Sequence, residues 1–143
     1  MIYEISNSSL VHHSECIALV GEPFSFHEKV ARGCIGSPNL LLISFSSAFG
    51  KLHPGQELNN LVDIEIRPKG VIVHFDIHLL TYAWVIPFYK LHTYQSSNLS
   101  IHADGHFMKF SNSYLGENGI PFFKKLHQLK VDSMPPDSGY FDY

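Results

Sequence analysis

Charge and cysteine are both scarce in this 143-residue chain. Asp, Glu, Lys and Arg make up 16% of it, against a usual share of about 25%. Only two cysteines, Cys16 and Cys34, are present, too few for a disulfide framework. A chain of this length buries a sizeable core without such staples. Basic residues are not in excess either. Ten Lys+Arg face thirteen Asp+Glu, for a net charge of −3, so the electrostatic footprint of a nucleic-acid binder is missing and no nucleic-acid partner is expected. Met1-Ile-Tyr-Glu-Ile has neither a basic n-region nor an apolar h-region, so no signal peptide is read and the expected compartment is the cytoplasm. Long apolar runs are lacking too. Leu40–Phe49 is shorter than the roughly 20 residues of a spanning helix, and Val71–Tyr89 is broken by His74, Asp76, His78 and Pro87. No integral membrane segment is expected. Gly33-Cys-Ile-Gly36 lacks the Gly-Lys-Ser/Thr ending of a phosphate loop, and neither Gly-x-Ser-x-Gly nor Cys-x-x-Cys occurs.

What is there is apolar and aromatic. Hydrophobic residues make up 45% and aromatics 13%, the opposite of the disordered signature. The length suits one domain, read as residues 1–132 with a tail over 133–143 that carries Pro135 and Pro136. Histidine is the odd feature: ten of them take the formal charge from −3 to −3 + 10 = +7 when all are protonated. Exposed histidines alone do not make a switch, which also needs a bistable element.

Two hairpins stand out. Leu61–Ile66 and Val71–His78 flank Arg67-Pro-Lys-Gly70. A four-residue loop with Pro68 in the αR part and Gly70 at a closing αL position sets Ile66 against Val71, Ile64 against Val73 and Val62 against Phe75. Those pairs are apolar on both sides, so Val71 and Val73 face the core. The other face carries Asp63, Glu65, Ile72, His74 and Asp76, mostly polar. A slip of one residue mixes the faces, so the pattern fixes the register. In the second hairpin, Asp104-Gly105 joins Asn98–Ala103 to His106–Phe110, with positive φ at both turn positions. Ala103, Ile101 and Leu99 then oppose His106, Met108 and Phe110. Between the hairpins, Thr81–Tyr89 reads as a strand whose pairing ends or bulges at Pro87, and Tyr89–Asn98 reads as a loop. Gly119–Val131 reads as a helix with Asn118 as N-cap, Pro121 in its first turn and an apolar face of Phe122, Phe123, Leu126 and Leu129. Lys124, Lys125 and Lys130 fall on its solvent side. Earlier in the chain, Ile2–Ile5 and Asn39–Ser46 read as strands, Glu15–Val20 as strand or helix, Ala48–Asn60 as a connection, and a helix is expected to open at Pro23 and end at Gly33.

The fold class expected is therefore mainly β (α+β): an antiparallel meander sheet or partly open barrel capped by a C-terminal amphipathic helix, with an extra N-terminal helix. Ile64–Phe75 with its turn, Trp84-Val-Ile-Pro87, Leu99–Phe110 with its Asp-Gly turn, and Phe122–Leu129 follow one another in an order that resembles a pleckstrin-homology-like domain, over roughly the second half of the chain. The resemblance implies a fold and a binding or scaffolding role, and supplies no site residues. The Lys/Arg cluster in the first strand loop that a phosphoinositide site of that family uses does not occur, and the N-terminal helix would be an insertion.

Among constellations, His74-x-Asp76-x-His78 is the sharpest. Residues i, i+2 and i+4 of a strand share a face, and imidazole with carboxylate suits a divalent metal. The outer two lie about 13 Å apart along a regular strand, too far for one ion without a bulge. His102-Ala-Asp104-Gly-His106 has similar spacing, but the turn puts His102 and His106 on opposite faces. His27 and Cys34 would form a nucleophilic pair only by spatial contact. His12-His13 reads as a polar pair in a loop. The reading is a non-enzymatic binding or interaction module with no catalytic residue and no cofactor, with a protein partner or self-association through the aromatic-rich sheet, and with a small-molecule ligand left unidentified. The alternative is a small metal-binding protein or enzyme on the polar face of His74, Asp76 and His78.

Overall fold

The computed structural model describes residues 2–5, 13–25, 40–95, 98–111 and 116–133, with the backbone alone for His13 and residues 116–123. The elements are β1 (Ile2–Glu4), α1 (His13–Val20), β2 (Leu40–Phe45), α2 (Ser47–Gly50), β3 (Leu61–Arg67), β4 (Gly70–Ile77), β5 (Leu80–Pro87), a 3-10 turn (Phe88–Lys90), β6 (His92–Gln95), β7 (Leu99–Ala103), β8 (His106–Phe110) and α3 (Gly116–Ser133). The strands form one antiparallel sheet in the order β1-β5-β4-β3-β2-β8-β7-β6. It is mainly β, as the alternating pattern predicts, and open: β1 and β6 are its edges.

The first hairpin keeps the expected register, Ile66 opposite Val71 and Ile64 opposite Val73. Its loop is tighter than expected. Arg67 pairs with Gly70, leaving only Pro68 and Lys69 in the turn. Gly70 is also not left-handed; the positive-φ glycines among the described residues are Gly21, Gly55 and Gly105. It is glycine for lack of room. A Cβ there would lie 2.6 Å from Val20 Cγ1 and 2.9 Å from Pro87 Cα, and would collide with the Ile86 carbonyl oxygen. The second hairpin has the expected turn, with Asp104 at φ 52° and Gly105 at φ 80°, and the expected pairs from Ala103–His106 to Leu99–Phe110.

The main core lies on one side of the sheet. Val71, Val73, Trp84, Ile101, Met108 and Phe110 are all fully buried there. Tyr3, Val20, Ile72, Ala83 and Val85 form a second buried cluster on the opposite side, with Ile5, Cys16 and Leu19 packed against it. Ile72 therefore does not sit on a solvated face: α1 covers it, and Tyr3 of the edge strand β1 joins the same cluster. Glu15–Val20 resolves to helix, and that helix ends at Gly21. Gly21 takes φ +87° and its N–H bonds the Ile17 carbonyl, as a helix C-cap does. Gly21-Glu-Pro is thus a helix stop, and Gly21–Ser25 has no regular structure. The remainder of the helix expected from Pro23 to Gly33 lies outside the described residues.

Three further expectations change. Tyr89–Asn98 is not merely a loop, since it contributes the end of the 3-10 turn and β6, which pairs with β7. Ala48–Asn60 holds most of α2 and a bridge from Leu58 to Ile77. At the C-terminus α3 begins at Gly116, so Asn118 lies inside the helix, where it is no N-cap, and Pro121 falls beyond the first turn. The apolar stripe marks the helix only from Phe122 onward, so the residues before it carry no periodic signal of the true start. Leu126 is fully buried in the main core and Leu129 packs against it; the side chains of Phe122 and Phe123 lie outside the described residues. Lys130 is not on the solvent side but 1% exposed, with Nζ donating to the Leu91 carbonyl. It stands four residues after Leu126 and so shares its stripe; position outweighs charge.

Two comparisons of variants follow. Gly70→Ala should cost about 1–3 kcal/mol, as overpacking does, whereas Gly105→Ala, with open space around its Cβ, should lose only about 1 kcal/mol to left-handed strain. Urea midpoints in the reverse order would refute the packing at Gly70. Lys130→Ala should cost about 2–4 kcal/mol, through lost packing and an unpaired Leu91 carbonyl, while Lys124→Ala stays within about 0.5 kcal/mol.

Candidate functional site

Two polar groupings lie on the sheet. The first flanks α1. Arg67, 8% exposed, donates from Nη1 to the Gly21 carbonyl (3.0 Å) and from Nε to Glu65 Oε2 (2.6 Å). Glu65 also meets His74 Nε2 at 3.3 Å. Burial pushes the Glu65 carboxyl up, but the hydrogen bonds from His74 and Arg67 and the Arg67 charge outweigh it and hold the carboxyl below the ordinary range. Nearby, burial and a hydrogen bond to Glu15 push the Tyr3 hydroxyl up to about 12. Burial likewise raises the Cys16 thiol, against the pull of Arg67, which makes this cysteine a poor nucleophile. The grouping pins the end of α1 to β3 and is structural.

The second grouping is a cleft of about 430 Å³ where the 3-10 turn meets the β7–β8 hairpin, lined by Lys90, His92, His102, Asp104, His106 and Phe107 among others. Pairing sets its geometry. His92 lies opposite His102 on β6–β7, and His102 opposite Phe107 on β7–β8, so three rings share one face of three adjacent strands. The His102 ring stacks on Phe107 at 5.7 Å and 24°, and Tyr94 meets it edge-on at 5.0 Å. Its Nε2 is 3.1 Å from Ser100 Oγ. Lys90 Nζ bridges the mouth to Asp104 Oδ1 at 3.3 Å, both side chains about 40% exposed. His106 starts β8 on the opposite, core-facing side, its ring 5.6 Å from Phe49 and 6.5 Å from Trp84. Partial burial, helped by His92 and Lys109, lowers the pKa of His102, so at neutral pH it is an uncharged ring in an aromatic row. The Ser100–His102 contact has the atoms of a nucleophile and its base, but Ser100 is buried at 6% exposure, out of reach of a substrate carbonyl.

The residues first proposed as metal ligands are not brought together. His74 and Asp76 are half-buried on β4, His74 already engaged with Glu65. His78 is off the strand, exposed in the β4–β5 turn at φ 57°, so the shared face expected for all three does not form. Among the described residues no group of three or more His, Cys, Asp or Glu is arranged to hold a metal ion. His27, Cys34 and His12 lie outside the described residues, and His13 opens α1. No helix among the described residues is long and apolar enough to cross a membrane. Sequence reasoning missed Lys90, His92 and Phe107 as partners. The alternation Leu91-His-Thr-Tyr carried the strand signal that would have put His92 and Tyr94 on one face.

Comparison with family models, curated proteins and solved structures gave no match.

Both groupings respond to acid in the same direction. A folded-state pKa below the unfolded value means that the unfolded chain binds more protons, so stability falls as pH falls. His102 should contribute such a loss on acidification below about 6.5 and Glu65 a further one below about 4.3. His102→Asn should flatten the first part of the melting-temperature profile and Glu65→Gln the second. Unchanged profiles in both would contradict the assigned surroundings.

Proposed function

We propose that the chain is a non-enzymatic binding module of pleckstrin-homology-like architecture, with α3 as the cap of its sheet and the β6–β7–β8 cleft as its binding site. One observation carries the reading: a row of half-buried rings on three adjacent strands, closed at one end by a single exposed ion pair. Binding pockets combine an apolar, ring-lined wall with a few placed polar groups, and this cleft has both. Supporting the architecture is the order of elements, two antiparallel meanders joined by β2–β8 pairing and followed by the terminal helix. Fold alone does not fix function, so the weight rests on the cleft. The cytoplasm is the compartment in which we place it.

The test is amide chemical-shift mapping with three one-ring probes: benzoate, benzylamine and benzyl alcohol. At least one should move the resonances of His92 and of residues 102–107 in a saturable way. If all three leave those amides unmoved, the cleft is not a binding site and the reading falls.

A further inference from the structure

Resting on that reading, we propose that the cleft is selective for small aromatic carboxylates, the ring lying against His102 and Phe107 and the carboxylate at Lys90. The ring half follows from the row itself. His102 and Phe107 stack on one another, 5.7 Å apart, and both remain partly exposed, so a flat apolar ligand can lie against the exposed side of the pair without moving a strand. Offset-stacked and edge-to-face contacts with such rings are favourable.

The anionic half follows from the charges around the cleft. The 3-10 turn supplies Lys90 and β6 supplies His92 to its lining; Tyr94 of β6 and Ser100 of β7 touch His102, Lys109 of β8 lies opposite Ser100, and His106 turns its ring away toward Phe49. Among the described lining residues the carboxylate is Asp104, in the turn. Its bond to Lys90 is 3.3 Å long and exposed on both sides, and ion pairs of that kind contribute little. Lys90 can therefore turn to a ligand carboxylate at small cost. Basic side chains surround the His102 ring: His92 lies opposite it on β6, Lys90 lines the same cleft, and His92 and Lys109 both push against its proton. A carboxylate bound there reverses the push, so ligand binding and protonation of His102 favour each other, and affinity rises as pH falls.

The experiment titrates the full chain with benzoate, benzyl alcohol and acetate, following the cleft amides and the His102 imidazole. Benzoate should bind about five- to tenfold more tightly than benzyl alcohol, the effect of one ion contact near the surface, and acetate should bind far more weakly than benzoate. Saturating benzoate should raise the His102 titration midpoint. Lys90→Gln should abolish the preference for benzoate and leave benzyl alcohol unchanged. Equal binding of benzoate and benzyl alcohol at the cleft overturns the carboxylate assignment while the binding-module reading stands. Equal binding of acetate and benzoate overturns the role of the rings. Benzoate bound tightly but indifferent to Lys90→Gln, with no shift at His102, overturns the placement. Silence from all probes at the cleft overturns both readings.

Discussion

Burial of β4 on both of its faces is the constraint on which the rest of the structure depends. Val71, Val73 and Phe75 point into the main core, and Gly70 and Ile72 into the cluster beneath α1. A strand buried on two sides needs an element on each. On one side that cover is α1, with Tyr3 and Ile5 packed in the same cluster. On the other it comes from the opposing β7–β8 residues, α2 through Phe49, and α3 through Leu126. Gly70 shows how closely the layers approach. The end of α1 comes near enough to the β4–β5 pair that no side chain fits between them, and the Lys69 N–H bonds the Val20 carbonyl across the same gap. Arg67 then fixes the outgoing chain through the Gly21 carbonyl, with Glu65 and His74 holding its own position.

Local signals carried much of this into the sequence. Where strand alternation and turn chemistry agree, as in Ile64–Val73 and at Asp104-Gly105, register and turn follow directly from the residues. Other features depend on contacts distant in the chain. Nothing near Ile72 announces that α1 will cover it, since the cover comes from residues some fifty positions earlier. Gly70 looked like a conformational glycine and is a packing glycine. Lys130 looked like a surface charge because charge was weighed above its spacing from Leu126. At the site, the faces of His102 and His106 were legible from the Asp-Gly turn, but the cleft was not. It requires β6, whose four residues are too short and polar a run to stand out from the Ser- and Asn-bearing segment around them.

The two polar groupings differ in a way that decides their roles. Glu65, Arg67 and His74 bond one another, and Arg67 also bonds the Gly21 carbonyl. The cleft is the reverse: its charged pair is long and exposed, and its rings are stacked without being sealed. A satisfied network fixes a structure, whereas partly exposed rings beside a loosely held charge leave interaction capacity for another molecule.

A second set of rings lies on the other face of β8. His106 lies 5.6 Å from Phe49, and the Phe49 ring lies 4.9 Å from Trp84 at 64°. Trp84 is the single tryptophan of the chain, fully buried, and its indole N–H has no hydrogen-bond acceptor among the described residues. Phe49 and His106 are the aromatic neighbours of this buried indole. Its emission should be that of an indole in an apolar setting, and because the Trp84, Phe49 and His106 rings are neighbours, a change of packing at the start of β8 should be readable in that emission without any added label.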